Sequence, residues 1–143
     1  MISTGAFLVV RAGRERYGLD LGAVREVVDV APPRAVPSRS PAMRGVMPLR
    51  DRHVSLIHLG ALLTGGPPPP AALDETAVVV MVGRAALALE VDDVEEVVDR
   101  GATQVGGAPA GWAAGVWRVG EELVTVLELG VLAERLSEIG EST

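Results

Sequence analysis

The feature that most constrains this chain is an internal repeat at one fixed offset. Phe7 to Val30 aligns without gaps on Ala77 to Arg100, and ten of the 24 aligned positions are identical. Gly45 to Leu63 aligns at the same offset on Gly115 to Ala133, with six further identities. Chance similarity between valine-rich segments does not explain two separate blocks that share one offset. The sequence therefore predicts two copies of one supersecondary unit within a single domain, 1–143.

The segments between and after the copies have a different composition. Thr64 to Ala72 contains two glycines followed by four prolines. Because proline lacks the amide donor and fixes its own φ, this segment predicts a semi-rigid linker. We place repeat one at about residues 6–63, the linker at 64–72 and repeat two at about 77–133. Helical spacing predicts a C-terminal helix at about residues 129–139, from Leu129, Leu132, Ala133, Leu136 and Ile139.

Each copy consists mainly of short apolar or alternating segments separated by turns that contain glycine or proline. Tyr17, Leu19 and Leu21 alternate with smaller or polar residues, which is the period of a half-buried strand. Asp20 is placed to cap a single helical turn before the extended segment Val24 to Val30. A hairpin is predicted around residues 50–52. This duplicated pattern favours an all-β fold of two small barrels that share a buried interface.

Charge and composition narrow the choice of partners and compartment. The net charge is −6, from 19 acidic and 13 basic residues, and an acidic surface repels a phosphate backbone. The chain has no cysteine, which suits a reducing compartment. No apolar run approaches the roughly 18 residues of a membrane helix, and the N-terminus lacks signal-peptide features. We therefore expect a cytoplasmic protein with no nucleic-acid partner and no direct membrane insertion.

Motifs for catalysis and for cofactor binding are absent from the sequence. The chain contains no GxGxxG, GxxxxGK[ST], GxSxG or HExxH pattern. The two histidines, His53 and His58, are five residues apart on a predicted strand, so their side chains would point to opposite faces. That geometry is poor for one metal ion. We therefore predict no enzyme activity, no catalytic residue, no cofactor and no metal.

Two further groups of residues have an ordinary structural interpretation beside a functional one. Six acidic residues within 90–99 could suggest Ca²⁺, but they lack the DxDxDG loop, and the intervening valines favour a solvated strand face. Trp112 and Trp117 could each be an interface residue or fill the core of a protein that has few aromatic residues. The acidic residues are Glu90, Asp92, Asp93, Glu95, Glu96 and Asp99.

The order of these blocks resembles the CheW-like domain, which is found in chemotaxis coupling proteins and in the regulatory domain of their histidine kinase. The segment FLVVRAGRERYGLDLGAVREVVDV is similar to the family's opening, FLVF.LG...YGID...V.EI. The segment MRGVMPLRDRHVSLIHLGALL is similar to hRGVINLRGxhVPVhDLRxLh. The second repeat is similar to GWxxGVhxhxxxLhhLLdLxxLL. The resemblance extends over roughly 6–136, almost the whole chain.

This resemblance implies two SH3-like five-stranded β-barrels and a non-enzymatic adaptor. The implied partners are the signalling tip of a methyl-accepting chemotaxis receptor and the regulatory domain of a CheA-type histidine kinase. Val24, Glu26 and Val27 match the strand that borders the family's receptor groove, and Arg50 matches the arginine of its NLRG motif. We expect these four residues to bind the receptor and expect a Glu26–Arg50 ion pair beside the groove. The positions that bind the kinase are not indicated.

The hairpin motif departs from the family pattern at several positions, among them Ser55, where the family has the Pro of its VP. Pro48 replaces the family's Asn, Asp51 its turn Gly, His58 its Asp and Gly60 its Arg. Because proline removes a ladder donor, we expect the strand that contains it to be an edge strand or bulged. Two alternatives to the coupling adaptor stay open. One is a divergent regulator that binds only one of the two partners, and the other is a small-ligand-binding barrel.

Overall fold

The computed structural model describes residues 5–38, 40–71, 75–99 and 103–140. Within these ranges the chain is almost entirely β, with eleven strands, two α-helices and one short 3₁₀ turn. The first half forms β1 (Phe7–Ala12), β2 (Glu15–Asp20), the 3₁₀ turn (Leu21–Ala23), β3 (Val24–Asp29), β4 (Met43–Leu49), β5 (Arg52–His58) and α1 (Leu59–Thr64). The second half forms β6 (Thr76–Val82), β7 (Ala85–Val91), β8 (Asp93–Val98), β9 (Thr103–Gly106), β10 (Ala113–Val119), β11 (Glu122–Leu127) and α2 (Leu129–Gly140).

The strands form two sheets, and each sheet contains strands from both halves of the chain. One sheet has the order β8-β1-β2-β11-β10-β9, and the other has the order β3-β6-β7-β5-β4. The first hairpin of each half is therefore exchanged: β1–β2 joins the later strands of the second half, and β6–β7 joins those of the first. The predicted all-β fold is confirmed.

Strand pairing follows the same register in the two sheets when the halves are matched at the offset of the sequence repeat. Phe7 lies opposite Val98 in one sheet, and Ala77 lies opposite Val28 in the other. The two parallel contacts, β11 with β2 and β5 with β7, correspond in the same way. Each hairpin that contains the RGV or AGV segment also has one bulge, at Arg44 in β4 and at Ala114 in β10. The sequence repeat thus corresponds to a repeat of backbone geometry.

One strand breaks this correspondence. Strand β9 pairs with β10 and makes that sheet six-stranded, whereas the barrel prediction had five strands in each. At the equivalent place in the first half there is only an isolated bridge between Arg34 and Val46. Prolines surround Arg34 at 32, 33 and 37, and they remove the amide donors that a longer ladder needs.

The largest hydrophobic core lies between the two sheets. It contains buried side chains from β1 and β2 on one side and from β5, β6 and β7 on the other, with α1 and Leu132 of α2 closing it. Each sheet also has a smaller hydrophobic cluster of its own. Valine, leucine and alanine make up nearly all of this core, as the low aromatic content requires. Among its largest fully buried members are Leu19, Ile57, Leu59, Leu89 and Val10.

Several local predictions can be compared with these elements. Strand β4, which contains Pro48, lies at the edge of its sheet and carries a bulge, as expected. Asp20 holds the N-cap position of the 3₁₀ turn, but the expected side-chain cap is wrong, since no such hydrogen bond forms. The backbone closes this turn instead, with the Val24 amide donating to the Leu21 carbonyl. The Leu21 amide donates to the Ala6 carbonyl, just before β1. Residue 72, at the end of the predicted linker, and Arg100, at the end of the second repeat block, lie outside the described residues.

Among the described residues, no helix has both the length and the apolar character needed to cross a membrane.

Candidate functional site

The fold brings together Glu26 and Arg50, two of the four residues predicted to form the functional surface. Glu26 lies on the edge strand β3, and Arg50 lies in the turn between β4 and β5 at the opposite edge of the same sheet. Arg50 Nη1 donates to Glu26 Oε2 at 2.5 Å, and Nη2 donates to Oε1 at 2.6 Å. This fork-to-fork geometry fixes the orientation of the guanidinium group. The predicted ion pair is confirmed, and it connects the two edges of the sheet.

Arg50 has an unusual backbone conformation. Its φ is 56°, and it is the one non-glycine residue with positive φ among the described residues. The three other two-residue hairpin turns place a glycine at this first turn position, namely Gly13, Gly83 and Gly120. A side chain in the left-handed region costs roughly 1–2 kcal/mol relative to the right-handed one. The left-handed position is thus residue 50, not residue 51, where the family pattern has its glycine.

The ion pair shifts the titration of both of its members. The hydrogen bonds from Arg50 lower the pKa of the Glu26 carboxyl below its ordinary value of 4.5, and partial burial opposes this shift. The hydrogen bonds to Glu26 likewise raise the pKa of the Arg50 guanidinium. The Arg50 side chain is nevertheless 68% exposed, whereas that of Glu26 is 28% exposed. An exposed ion pair of this kind contributes orientation more than stability.

The two valines of the predicted surface do not have the same environment. Val24 is half-buried and packs against the core between the sheets. Val27 is 47% exposed on the outer side of the same strand. Val27 is thus the more exposed of the two, whereas Val24 packs partly against the core.

A hollow of about 280 Å³ adjoins the ion pair. Apolar side chains from β6 and β7 form its floor, and the charged turn between β4 and β5 forms its rim. A shallow apolar surface with a charged rim suits a protein partner better than it suits a small ligand. The lining residues are Glu26, Leu49, Arg50, Asp51, Arg52, Val79, Met81 and Ala86.

Four of the positions that depart from the family pattern, namely 48, 51, 58 and 60, fall in two environments. Pro48 and Asp51 are exposed and flank Arg50 in the sequence. His58 is half-buried, and its Nδ1 accepts a hydrogen bond from the Ala61 amide at 3.0 Å, which caps the N-terminus of α1. His58 thereby supplies the kind of acceptor that an Asp at this position would supply. Gly60 lies beside this ring, since a Cβ there would be 3.2 Å from His58 Cε1.

Sequence reasoning missed a buried ion pair. Arg44 Nε donates to Glu90 Oε1 at 2.6 Å, and the two side chains are only 10% and 4% exposed. The predicted solvated acidic face is wrong for Glu90, because its side chain is buried. The bulge in β4 lets Arg44 reach across β5 to β7, and the resulting charge pair allows Glu90 to be buried. A signal was available: Glu90 falls within the apolar run of β7.

The remaining candidate residues have structural contacts. Trp112 makes an edge-to-face contact with Tyr17, with ring centroids 6.2 Å apart, and packs against the core between the sheets. Trp117 makes a similar contact with Phe7 at 6.0 Å. His53 is exposed on β5. Among the described residues, no cluster of His, Asp and Glu has the arrangement of a metal site.

Comparison with known proteins gives a family and a similar structure. The family model described as CheW-like domain matches residues 6–137. A solved structure, the scaffolding protein TtCheW from Thermoanaerobacter tengcongensis, superposes with a TM-score of 0.77 at 22% sequence identity. The superposition covers 90% of this chain and 91% of that protein. No curated protein sequence matches the chain. With two sheets in the arrangement of SH3-like barrels and a family match over nearly its whole length, the chain belongs to the CheW-like domain family.

Proposed function

We propose that this protein is a cytoplasmic, non-enzymatic adaptor that couples chemoreceptors to a CheA-type histidine kinase. The observation that carries the proposal is the match to the CheW-like domain over residues 6–137. The similar fold of the scaffolding protein TtCheW supports it. In this proposal the partners are the signalling tip of a methyl-accepting receptor and the regulatory domain of the kinase. Chemotaxis is the process that such coupling serves.

The receptor would bind the surface that contains Val27, Glu26 and Arg50. Val27 supplies exposed apolar area at one sheet edge, and Arg50 supplies an oriented cation at the other. The left-handed backbone at Arg50 supports this role, because strained residues that persist in folded proteins cluster at binding and active sites. Val24 would act indirectly by holding β3 against the core.

The test is titration calorimetry with a receptor signalling fragment and, separately, with a kinase regulatory domain from the source organism. We expect the wild-type protein to bind the receptor fragment and Arg50→Glu to bind it much more weakly while remaining folded by circular dichroism. The matched control is Arg14→Glu, a charge reversal in the exposed turn between β1 and β2. If Arg50→Glu binds as the wild type does, Arg50 is not part of the receptor site.

A second candidate is a divergent regulator that binds one of the two partners weakly. The observation that favours it is the exposure of Pro48 and Asp51 next to Arg50. The buried hydrophobic residues of the same hairpin, Met47, Val54, Leu56 and Ile57, retain the core pattern. Exposed positions change at little cost to stability, so the fold can persist while the partner surface changes. Micromolar or tighter binding to both partners in the calorimetry would contradict this alternative.

A further inference from the structure

A cavity of about 390 Å³ lies in the six-stranded sheet, near the ends of β2, β10 and β11. Phe7 and Trp117 form an aromatic wall, and Asp20 and Glu128 contribute carboxylates. Ala114, the bulge residue of β10, lies on its lining. Glu128 is exposed, so the cavity is reachable from solvent at that side. An engineered cavity of about 150 Å³ is large enough to bind benzene, so this space accommodates a larger group.

The other sheet shows what occupies the equivalent position. At the offset of the sequence repeat, Ala114 corresponds to Arg44 and Asp20 corresponds to Glu90. In the five-stranded sheet, the Arg44 guanidinium lies on the Glu90 carboxylate through two hydrogen bonds of 2.6 and 3.3 Å. Arg44 and Ala114 are the bulge residues of β4 and β10. Glu90 and Asp20 lie at the ends of β7 and β2. Where one sheet buries a guanidinium, the other has a methyl group and a cavity.

The other lining residues have changed in a direction that favours a cation. Trp117 stands where the first half has Met47, Phe7 stands where the second half has Ala77, and Glu128 corresponds to His58. The cavity has therefore gained aromatic rings and a carboxylate relative to its counterpart. Indole and phenyl faces attract cations, and a carboxylate accepts a guanidinium through two parallel hydrogen bonds.

We propose that this cavity binds an alkylguanidinium group, such as an arginine side chain, with Asp20 as its carboxylate partner and Trp117 as its aromatic wall. A carboxylate offers about four acceptor positions, so this contact adds to those that Asp20 makes within the chain. Arginine suits the site better than lysine, because its planar group both forks onto a carboxylate and stacks on an aromatic ring. The proposal is independent of the receptor surface, which lies on the other sheet.

The first test is an NMR titration of the full ¹⁵N-labelled chain with N-acetyl-arginine amide. We expect saturable shifts of the Trp117 indole and the Ala114 amide, and much smaller shifts of the Trp112 indole. N-acetyl-citrulline amide, the neutral analogue of the same shape, is expected to bind about tenfold more weakly, because hydrogen bonds between charged groups are stronger. Agmatine, a free alkylguanidinium compound, distinguishes the sources: tighter binding of agmatine indicates a small molecule, and tighter binding of the capped residue indicates a protein arginine.

The second test uses the chain's own counterpart. Ala114→Arg should fill the cavity from within, raise the melting temperature and abolish the arginine-dependent shifts. Ala114→Leu is the matched control, since it fills the space without a charge. In an Asp20→Asn background, Ala114→Arg should no longer raise the melting temperature, whereas the effect of Ala114→Leu on the melting temperature should remain. Equal binding of citrulline and arginine, no saturable shift at Trp117, or a lower melting temperature for Ala114→Arg would each overturn the proposal.

Discussion

Arg50 holds a left-handed backbone at φ 56° while its guanidinium binds both carboxylate oxygens of Glu26 on the opposite edge of the sheet. In three sister turns a glycine occupies this position without strain. Residue 50 thus combines an unfavourable backbone conformation with a guanidinium group that is exposed beside its contact with Glu26. The backbone conformation at residue 50 and the contacts of its guanidinium group can therefore be tested by different substitutions.

Arg50→Gly should preserve or raise the stability of the fold and still weaken receptor binding. Glycine adopts a positive φ at no steric cost, as Gly120 does at the equivalent position. The measurement pairs urea unfolding with calorimetry against the receptor fragment. If the variant loses stability, the ion pair stabilises the fold by more than the backbone strain costs. If it binds the receptor normally, the guanidinium group is not used in recognition.

The Glu26 carboxyl should titrate below 4.5, because Arg50 lowers its pKa in the folded state. The unfolded chain lacks this contact, so it binds a proton at higher pH than the folded chain does. The stabilisation is therefore fully present above the unfolded value and is lost as the pH falls through the folded value. Carboxyl ¹³C shifts of Glu26 report the midpoint directly. In Arg50→Gln the midpoint should move upward, and an unchanged midpoint would mean that the pair does not persist in solution.

Gly45→Ala should destabilise the protein by roughly 3 kcal/mol or more, in the range of severe packing defects. A Cβ at position 45 would lie 2.1 Å from the Arg34 carbonyl oxygen, and the backbone φ there is 138°. The Arg34 and Val46 backbones are joined by two hydrogen bonds at this crossing, so the clash cannot be relieved locally. Denaturant unfolding measures the loss.

The matched control for this variant is Gly130→Ala in α2, where nothing lies within 4 Å of the added Cβ. It should leave the stability nearly unchanged or raise it slightly, because alanine is the better helix former and residue 130 lies in the first turn of α2. Similar effects for the two alanine substitutions would mean that the crossing at Gly45 is not close.

His58→Ala should cost about 1 kcal/mol through loss of the N-cap of α1. His58→Asn should retain most of that stability, because its side-chain oxygen can accept the same Ala61 amide without introducing a charge. The difference between the two variants in thermal unfolding isolates the cap. Equal losses would show that packing of the imidazole ring, rather than its acceptor nitrogen, is what matters at this position.

Sequence alone was sufficient for the fold class and for one contact of the candidate site. The constant offset between the two repeats predicted equivalent backbone geometry, and the Glu26–Arg50 pair followed from two positions matched to the family. The same reasoning could not find the left-handed conformation of Arg50, because arginine carries no local signal for a positive φ. It also placed Glu90 at the surface, since a lone sequence does not reveal that Arg44 reaches it from a bulge 46 positions away.

The exchange of hairpins between the halves was equally invisible to periodicity. Patterns of alternation predict where strands lie but not which strands pair, because any apolar strand of suitable length can fill a given place. The presence of Asp at position 51 could not be explained from the sequence for a similar reason. The left-handed residue of this turn is Arg50, and no rule based on residue type would assign that conformation to an arginine.

The exchanged hairpins have a consequence for how the chain reaches its native state. Neither sheet can be completed until strands from both halves are present, since β1 must find β8 and β3 must find β6. Those pairings close loops of many tens of residues, so the transition state carries a large entropy cost and folding should be slow for a domain of this size. A chain severed within the prolines at 67–70 should yield two fragments that are each unfolded alone. Mixed together, the two fragments should reassemble into one native domain.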